Sequence, residues 1–125
     1  MRLDVLALAI SGVGFLAFGV AMLVAPQAVM ASVDIAIPAG VATTEARAFY
    51  GGLELGLAAL LLAAAWQPKY RRAGLWLGLA SYGGIAAARA LGMLIDGTGG
   101  GFLVGALIVE STLAALCAAA LRMRH

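Results

Sequence analysis

The sequence has very little of the chemistry that most soluble metalloproteins and redox enzymes use. Its 125 residues include one cysteine, Cys117, and one histidine, His125. A single cysteine excludes an internal disulfide and a dithiol relay within the chain. A lone histidine at the last position argues against histidine-ligated haem, zinc or copper within the fold. We therefore expect no metal site and no cofactor.

Charge is also scarce, and apolar residues take its place. Charged residues make up 11% of the chain and hydrophobic residues 64%, whereas soluble domains are roughly 25% charged. The mean hydropathy is +1.04. A chain this apolar has more apolar surface than a water-soluble core of its size could bury, so the bilayer must be the solvent. The net charge of +2 lies mostly in short clusters beside apolar runs, which is typical of membrane topology. We expect no nucleic-acid partner.

Four apolar segments cover about residues 5–25, 46–66, 73–95 and 102–121. Each has roughly 20 residues, enough to cross a hydrocarbon core of about 30 Å at 1.5 Å per residue. This pattern predicts an all-α fold: a four-helix bundle integral to the membrane, forming a single domain over residues 1–125. A signal peptide is the competing interpretation of the first segment, but secretory apolar regions span only about 7–15 residues.

The distribution of basic residues predicts the topology. Residues 26–45, hereafter the long connection, and the turn at 96–101 lie on one side of the membrane. Six of the eight basic residues lie on the other side: Arg2, Lys69, Arg71, Arg72, Arg122 and Arg124. By the positive-inside rule that side, with both termini, is cytoplasmic. We expect the long connection to be an interfacial or re-entrant segment, with Thr43 or Thr44 as the N-cap of the second helix.

Four charged residues lie inside the predicted helices: Arg47, Glu54, Arg89 and Glu110. Counting along the helices places the last three roughly 9–12 Å below the outer boundary, with Arg47 shallower. Each charge would cost about 2.5–3.5 kcal/mol at a helix centre facing lipid, so we expect the four to face one another. We predict that Arg89 pairs with Glu110 or Glu54, and that Arg47 pairs with the remaining carboxylate.

Two tyrosines and an aspartate extend this cluster. Tyr50 lies between two of the charges at i, i+3, i+7 spacing, which is one face of an α-helix. Tyr82 and Asp96 lie seven residues before and after the arginine of the third segment. We predict a ligand-binding site from Arg47, Tyr50, Glu54, Tyr82, Arg89, Asp96 and Glu110. If the protein is an enzyme, Glu54 and Glu110 are the candidate catalytic acid and base.

The motifs R-A-F-Y-G-G-L-E-L-G and A-R-A-L-G-M-L-I-D-G, with a single glutamate in the last segment, resemble a family of small bacterial membrane proteins catalogued as a domain of unknown function. The resemblance covers nearly the whole chain. The residues that match the family pattern are Arg47, Tyr50, Gly51, Gly52, Glu54, Arg89, Asp96, Gly97 and Glu110. It implies a four-helix protein of the bacterial inner membrane whose signature falls on the polar cluster, and it implies no activity.

Several functions fit this pattern. The first is binding of a small amphiphilic or lipid-like molecule, and the second is a membrane-embedded isomerase, cyclase or hydrolase acting on an apolar substrate. A proton-coupled transporter ranks third, because the first segment has no charge and an arginine partner opposes proton exchange. An accessory subunit with a membrane-protein partner, a homo-oligomer, and a purely structural lock of the helices also fit. A carboxylate left unpaired and facing a cavity would favour acid–base chemistry or proton coupling, and complete pairing would favour a scaffold or a binding role.

Overall fold

The computed structural model describes residues 2–123, and within that range it contains helices and connections but no strands. Four helices are long and apolar enough to cross a membrane, so the predicted all-α membrane bundle is confirmed. Arg124 and His125 lie outside the described residues. The elements are α1 (Leu3–Val24), α2 (Pro26–Ala31), α3 (Val41–Ala46), a π-helical segment (Arg47–Leu53), α4 (Glu54–Trp66), a short 3₁₀ turn (Pro68–Tyr70), α5 (Arg71–Asp96) and α6 (Gly101–Arg122).

Helix α1 lies at the centre of the bundle. Within its most apolar stretch 39% of residues are buried, against 17–22% for the other three spans. It packs mainly on α4 and the π-helical segment and also contacts α5 and α6, which form the second close pair. Leu8 and Met22 are fully buried, and Phe15 is nearly so. The first apolar segment is therefore packed as part of the bundle core.

The second span approaches α1 most closely at Gly51. A Cβ on this residue would lie 3.1 Å from the backbone nitrogen of Leu23 and 3.2 Å from its Cα. On the facing helix, a Cβ on Gly19 would lie 3.2 Å from the carbonyl oxygen of Gly51. Small residues allow membrane helices to approach at backbone distance. The contact holds the π-helical segment against the C-terminal end of α1.

The second span begins earlier than the sequence indicated. Helix α3 starts at Val41, and its N-cap is Gly40, whose φ of 86° is readily accessible to glycine. The hydroxyl of Thr43 donates instead to the carbonyl of Pro38, over 2.8 Å. The prediction of a Thr43 or Thr44 cap was wrong, because a glycine with unrestricted backbone ends the long connection before either threonine.

The long connection is held by local hydrogen bonds. Pro26 opens α2, and Asp34 takes a left-handed conformation with φ 62° that reverses the chain. The side-chain amide of Gln27 then donates to the carbonyl of Ile37 over 3.1 Å, tying the start of the connection to its later part. These contacts fold the connection back toward the second span instead of letting it extend away from the bundle.

A buried charge at the opposite end of α1 was missed by the sequence analysis. The helix begins at Leu3, not at residue 5, so its first turn includes Asp4. The Asp4 side chain is 4% exposed and lies 3.8 Å from Arg71 and 3.6 Å from Arg2. An acidic residue in the first turn is favoured by the helix dipole. The first span therefore does carry a charge, and it is neutralised by the basic residues at that end of the bundle.

Candidate functional site

Arg89 on α5 and Glu110 on α6 form a bidentate ion pair. Nε and Nη2 of the arginine donate to the two carboxylate oxygens over 2.8 and 2.6 Å. Both side chains are largely buried, and the guanidinium lies 5.9 Å from the ring centroid of Phe102. The flat arginine fork matches the carboxylate geometry, which strengthens such pairs. This is one of the two pairings that the sequence predicted for Arg89.

Arg47 does not pair with a carboxylate. Its guanidinium donates to the backbone carbonyls of Leu23 and Val24, with a distance of 3.3 Å to the latter. These two residues end α1, where the last carbonyls of a helix lack intrahelical donors and a positive charge is favoured. The predicted ion pair between Arg47 and the remaining glutamate is therefore wrong, and Arg47 caps α1 instead.

The cause of this error is the π-helical segment. All seven residues of Arg47–Leu53, R-A-F-Y-G-G-L, follow a π-helical course, in which hydrogen bonds close over five residues instead of four. The wider turn changes the rotation between Arg47 and Glu54, so an i, i+7 spacing no longer puts both on one face. Such segments are rare and frequently lie at functional sites. Here the segment turns Arg47 toward α1 and leaves Glu54 on another face.

Glu54 is the carboxylate left over. It begins α4, is half-buried, and makes no salt bridge or side-chain hydrogen bond within residues 2–123. Two glutamates and one arginine therefore remain of the predicted cluster of four charges once Arg47 is assigned to the end of α1. The arginine is held by Glu110.

Glu54 lines a cleft of about 790 Å³ between the long connection and the second span. Sites for small molecules typically enclose about 300–1,000 Å³ and are mostly apolar with a few polar groups. The polar side chains of this cleft are Glu45, Tyr50 and Glu54, and no lysine or arginine is among its lining residues. The remaining walls are apolar or aromatic: Phe15, Met30, Ile35, Ala36, Ile37, Pro38, Ala42, Ala46, Phe49, Leu53, Leu57 and Ile85.

Of the seven residues predicted to bind a ligand, the structure brings Tyr50 and Glu54 to the cleft wall. Tyr82 lies behind that wall: it stacks on Phe15 at 4.4 Å, and its hydroxyl donates to the carbonyl of Ser11 over 2.8 Å. Asp96 ends α5 on the exposed surface away from the cleft. The two arginines and Glu110 contact other groups, as described above.

The aromatic and apolar part of the site was not predicted from the sequence. Phe49 precedes Tyr50 and lines the cleft with it, and Glu45 lies one turn earlier. Four consecutive residues of the long connection, Ile35 to Pro38, complete the opposite wall. The apolar character of that stretch was a signal, because a connection exposed to water has no need of two isoleucines.

Comparison with known proteins bears on the family and not on the activity. The model of the family described as domain of unknown function (DUF4345) matches residues 5–121. The chain belongs to this family. The matched region includes all four spans, the π-helical segment and the long connection. No curated protein and no solved structure matches the chain, so the proposed function rests on the geometry of the site.

Proposed function

We propose that this member of the family binds a small amphiphilic or lipid-like molecule in the cleft beneath the long connection. The observation that carries the proposal is Glu54, a half-buried carboxylate without an ionic partner in the described chain, on the wall of a mostly apolar cleft. Leaving such a charge near the membrane interior is costly unless something offsets it. A bound headgroup would supply that offset.

The exposure of two residues of the cleft wall supports access from the lipid. Phe49 and Leu53 both line it, and they are 61% and 56% exposed on the surface of the second span. An apolar chain could therefore enter between them and the long connection without crossing water. This lateral access favours a ligand drawn from the bilayer over a water-soluble metabolite.

The location that fits best is the bacterial inner membrane with both termini in the cytoplasm. Five basic residues of the described chain cluster at one end of the bundle, and the positive-inside rule assigns that end to the cytoplasm: Arg2, Lys69, Arg71, Arg72 and Arg122. The cleft then faces the outer leaflet. Single cysteines introduced at Ala39, an exposed residue of the long connection, and at Lys69 in a Cys117→Ala background test this orientation. A membrane-impermeant thiol reagent added to intact cells should label the first position and not the second.

An acid–base enzyme is the second candidate, because Glu54 meets the criterion of an unpaired carboxylate facing a cavity. Glu110 is engaged by Arg89 through both oxygens. Of the two predicted catalytic glutamates, Glu54 alone lines the cleft, so it would have to act as acid and base in turn. Proton transfer in isomerisation or hydrolysis of an apolar molecule is the chemistry this arrangement supports.

Proton-coupled transport has less support. Leu8, Leu61 and Leu75 are fully buried and belong to one apolar cluster. They lie between the level of Glu54 and the Asp4–Arg71 pair at the other end of the bundle. Ion pathways through membrane proteins are lined by polar groups or water, and this apolar layer interrupts such a path.

Mass spectrometry of small molecules retained by the protein purified in mild detergent tests the proposal. Wild type is compared with Glu54→Gln, which keeps the shape of the side chain, and with Asp96→Asn, which removes an exposed carboxylate outside the cleft. All three must first show the same helical circular dichroism. We expect one compound at near-stoichiometric amount in wild type and Asp96→Asn, and its loss in Glu54→Gln. Retention of bulk lipid alone by all three would contradict the proposal.

A further inference from the structure

We propose that the headgroup recognised in the cleft is positively charged, as in an amphiphilic amine or quaternary ammonium compound, and that it lies against Glu54. The inference rests on the proposed function and adds the chemical class of the ligand. It follows from what lines the cleft, from what occupies the nearby arginines, and from the aromatic rings beside the carboxylate.

The charge of the cleft has one sign. Its two ionisable carboxylates are Glu45 at the rim and Glu54 deeper in the wall, and no basic side chain is among the lining residues. An anionic headgroup such as a fatty-acid carboxylate would meet like charge in a surrounding of low polarity, where repulsion is strong. A cationic headgroup would neutralise Glu54 and remove the cost of leaving it unpaired.

The two arginines of the predicted cluster are not available to neutralise Glu54. Arg89 uses Nε and Nη2 on Glu110, and Arg47 donates to the end of α1. Moving either one to Glu54 would leave a buried carboxylate or two helix-end carbonyls without their partner. Both arginines of the predicted cluster are therefore engaged in other contacts. A cation bound in the cleft would supply the missing partner of Glu54.

The aromatic lining suits the same class of headgroup. Phe15, Phe49 and Tyr50 all contribute to the wall, and ring faces attract alkylammonium groups, which is how aromatic cages recognise quaternary ammonium ligands. Tyr50 meets Phe18 edge-on at 6.4 Å and remains 47% exposed, so much of its ring is free to contact a ligand. The aliphatic side chains of the long connection would then cover the hydrocarbon chain.

A matched series of amphiphiles tests the headgroup. Dodecyltrimethylammonium, dodecanol and dodecanoate share one alkyl chain and differ in headgroup charge. Their binding to the full chain in maltoside micelles is measured by native mass spectrometry and by calorimetry, with empty micelles subtracted. In wild type we expect the trimethylammonium compound to bind about tenfold more tightly than dodecanol, and dodecanoate to bind most weakly. This ranking requires no variant.

The variants then assign the preference to Glu54. In Glu54→Gln we expect dodecyltrimethylammonium and dodecanol to bind equally, whereas Asp96→Asn should keep the wild-type ratio. Equal binding of the cation and the alcohol by wild type would overturn the headgroup inference and leave the proposed function standing. A cation preference that survives in Glu54→Gln would overturn it as well. If none of the three compounds binds wild type, the proposed function fails together with the inference.

Discussion

Arg89 donates two hydrogen bonds to Glu110, over 2.8 and 2.6 Å, and this single pairing determines the chemistry of the rest of the cluster. It joins α5 to α6 and engages both carboxylate oxygens. With Arg47 directed at the C-terminal carbonyls of α1, no arginine is left for Glu54. The balanced set of two arginines and two glutamates in the sequence is therefore not a closed network of ion pairs. It consists of the ion pair between Arg89 and Glu110, the cap that Arg47 forms on α1, and the Glu54 carboxylate facing the cleft.

Breaking the ion pair between Arg89 and Glu110 should destabilise the bundle. Arg89→Ala leaves Glu110 largely buried without its partner, and we expect a loss of about 2–3 kcal/mol, somewhat below the range for fully buried pairs. Arg89→Lys should lose less, because it keeps the charge and gives up the bidentate geometry. Unfolding in mixed micelles, followed by circular dichroism, provides the measurement. Arg122→Ala, an exposed arginine at the end of α6, is the control. Equal stability of the Arg122 and Arg89 variants would show that the pair contributes nothing.

Glu54 should behave in the opposite way. Because its carboxylate has no ionic partner within the described residues, Glu54→Gln removes a desolvated charge without breaking a pair. We expect unchanged or slightly increased stability in the same unfolding assay. Glu110→Gln, a matched change of the paired glutamate, should be destabilising. A large loss of stability in Glu54→Gln would mean that Glu54 has a structural partner.

The approach of the second span to α1 depends on the size of residue 51. A Cβ at this position would lie 3.1 Å from the backbone of Leu23, so Gly51→Ala should push the helices apart and cost about 1–3 kcal/mol. Gly56→Ala is the control, because the corresponding Cβ has no atom within 4 Å other than its chain neighbours and the backbone of its own helix. There the gain in helix propensity should leave stability equal or higher. Thermal unfolding of the two variants in one detergent compares them directly, and similar melting temperatures would contradict the close approach.

The opposite end of the bundle gives a separate prediction. Asp4→Asn removes the carboxylate that lies near Arg71 and Arg2. The largely buried guanidinium of Arg71 then loses the negative charge that balances it. We expect a loss of about 1–3 kcal/mol. Asp34→Asn, an exposed aspartate of the long connection, should change stability by less than about 0.5 kcal/mol. Chemical unfolding of both variants makes the comparison. Identical curves would show that the buried position of Asp4 has no energetic consequence.

Much of the fold could be predicted because length and hydropathy constrain membrane helices strongly. An apolar run of about 20 residues has one stable solution in a bilayer, a helix that satisfies its own backbone. The cost of isolated charge likewise predicted that Arg89 would find a glutamate. Neither property depends on which helix packs on which, so both could be predicted without the tertiary structure.

The π-helical segment and the cleft could not be predicted from length and hydropathy. The spacing of Arg47, Tyr50 and Glu54 was interpreted with the period of an α-helix, and hydrogen bonds closed over five residues change the face on which each side chain lies. The cleft depends on where the long connection folds, through contacts such as Gln27 with Ile37. Local sequence does not specify such packing, so Phe49 and the connection's apolar wall were not identified.

The most direct test of the central claim is to fill the cleft. Ala42 lines it, and Ala42→Trp would occupy space that a ligand needs. Ala39→Trp places the same ring on an exposed residue of the long connection that does not line the cleft. Native mass spectrometry of both variants beside wild type, each released from mild detergent, measures the mass of retained ligand. We expect a bound small molecule on wild type and Ala39→Trp and its absence from a folded Ala42→Trp. Equal retention by all three proteins would contradict a binding site beneath the long connection.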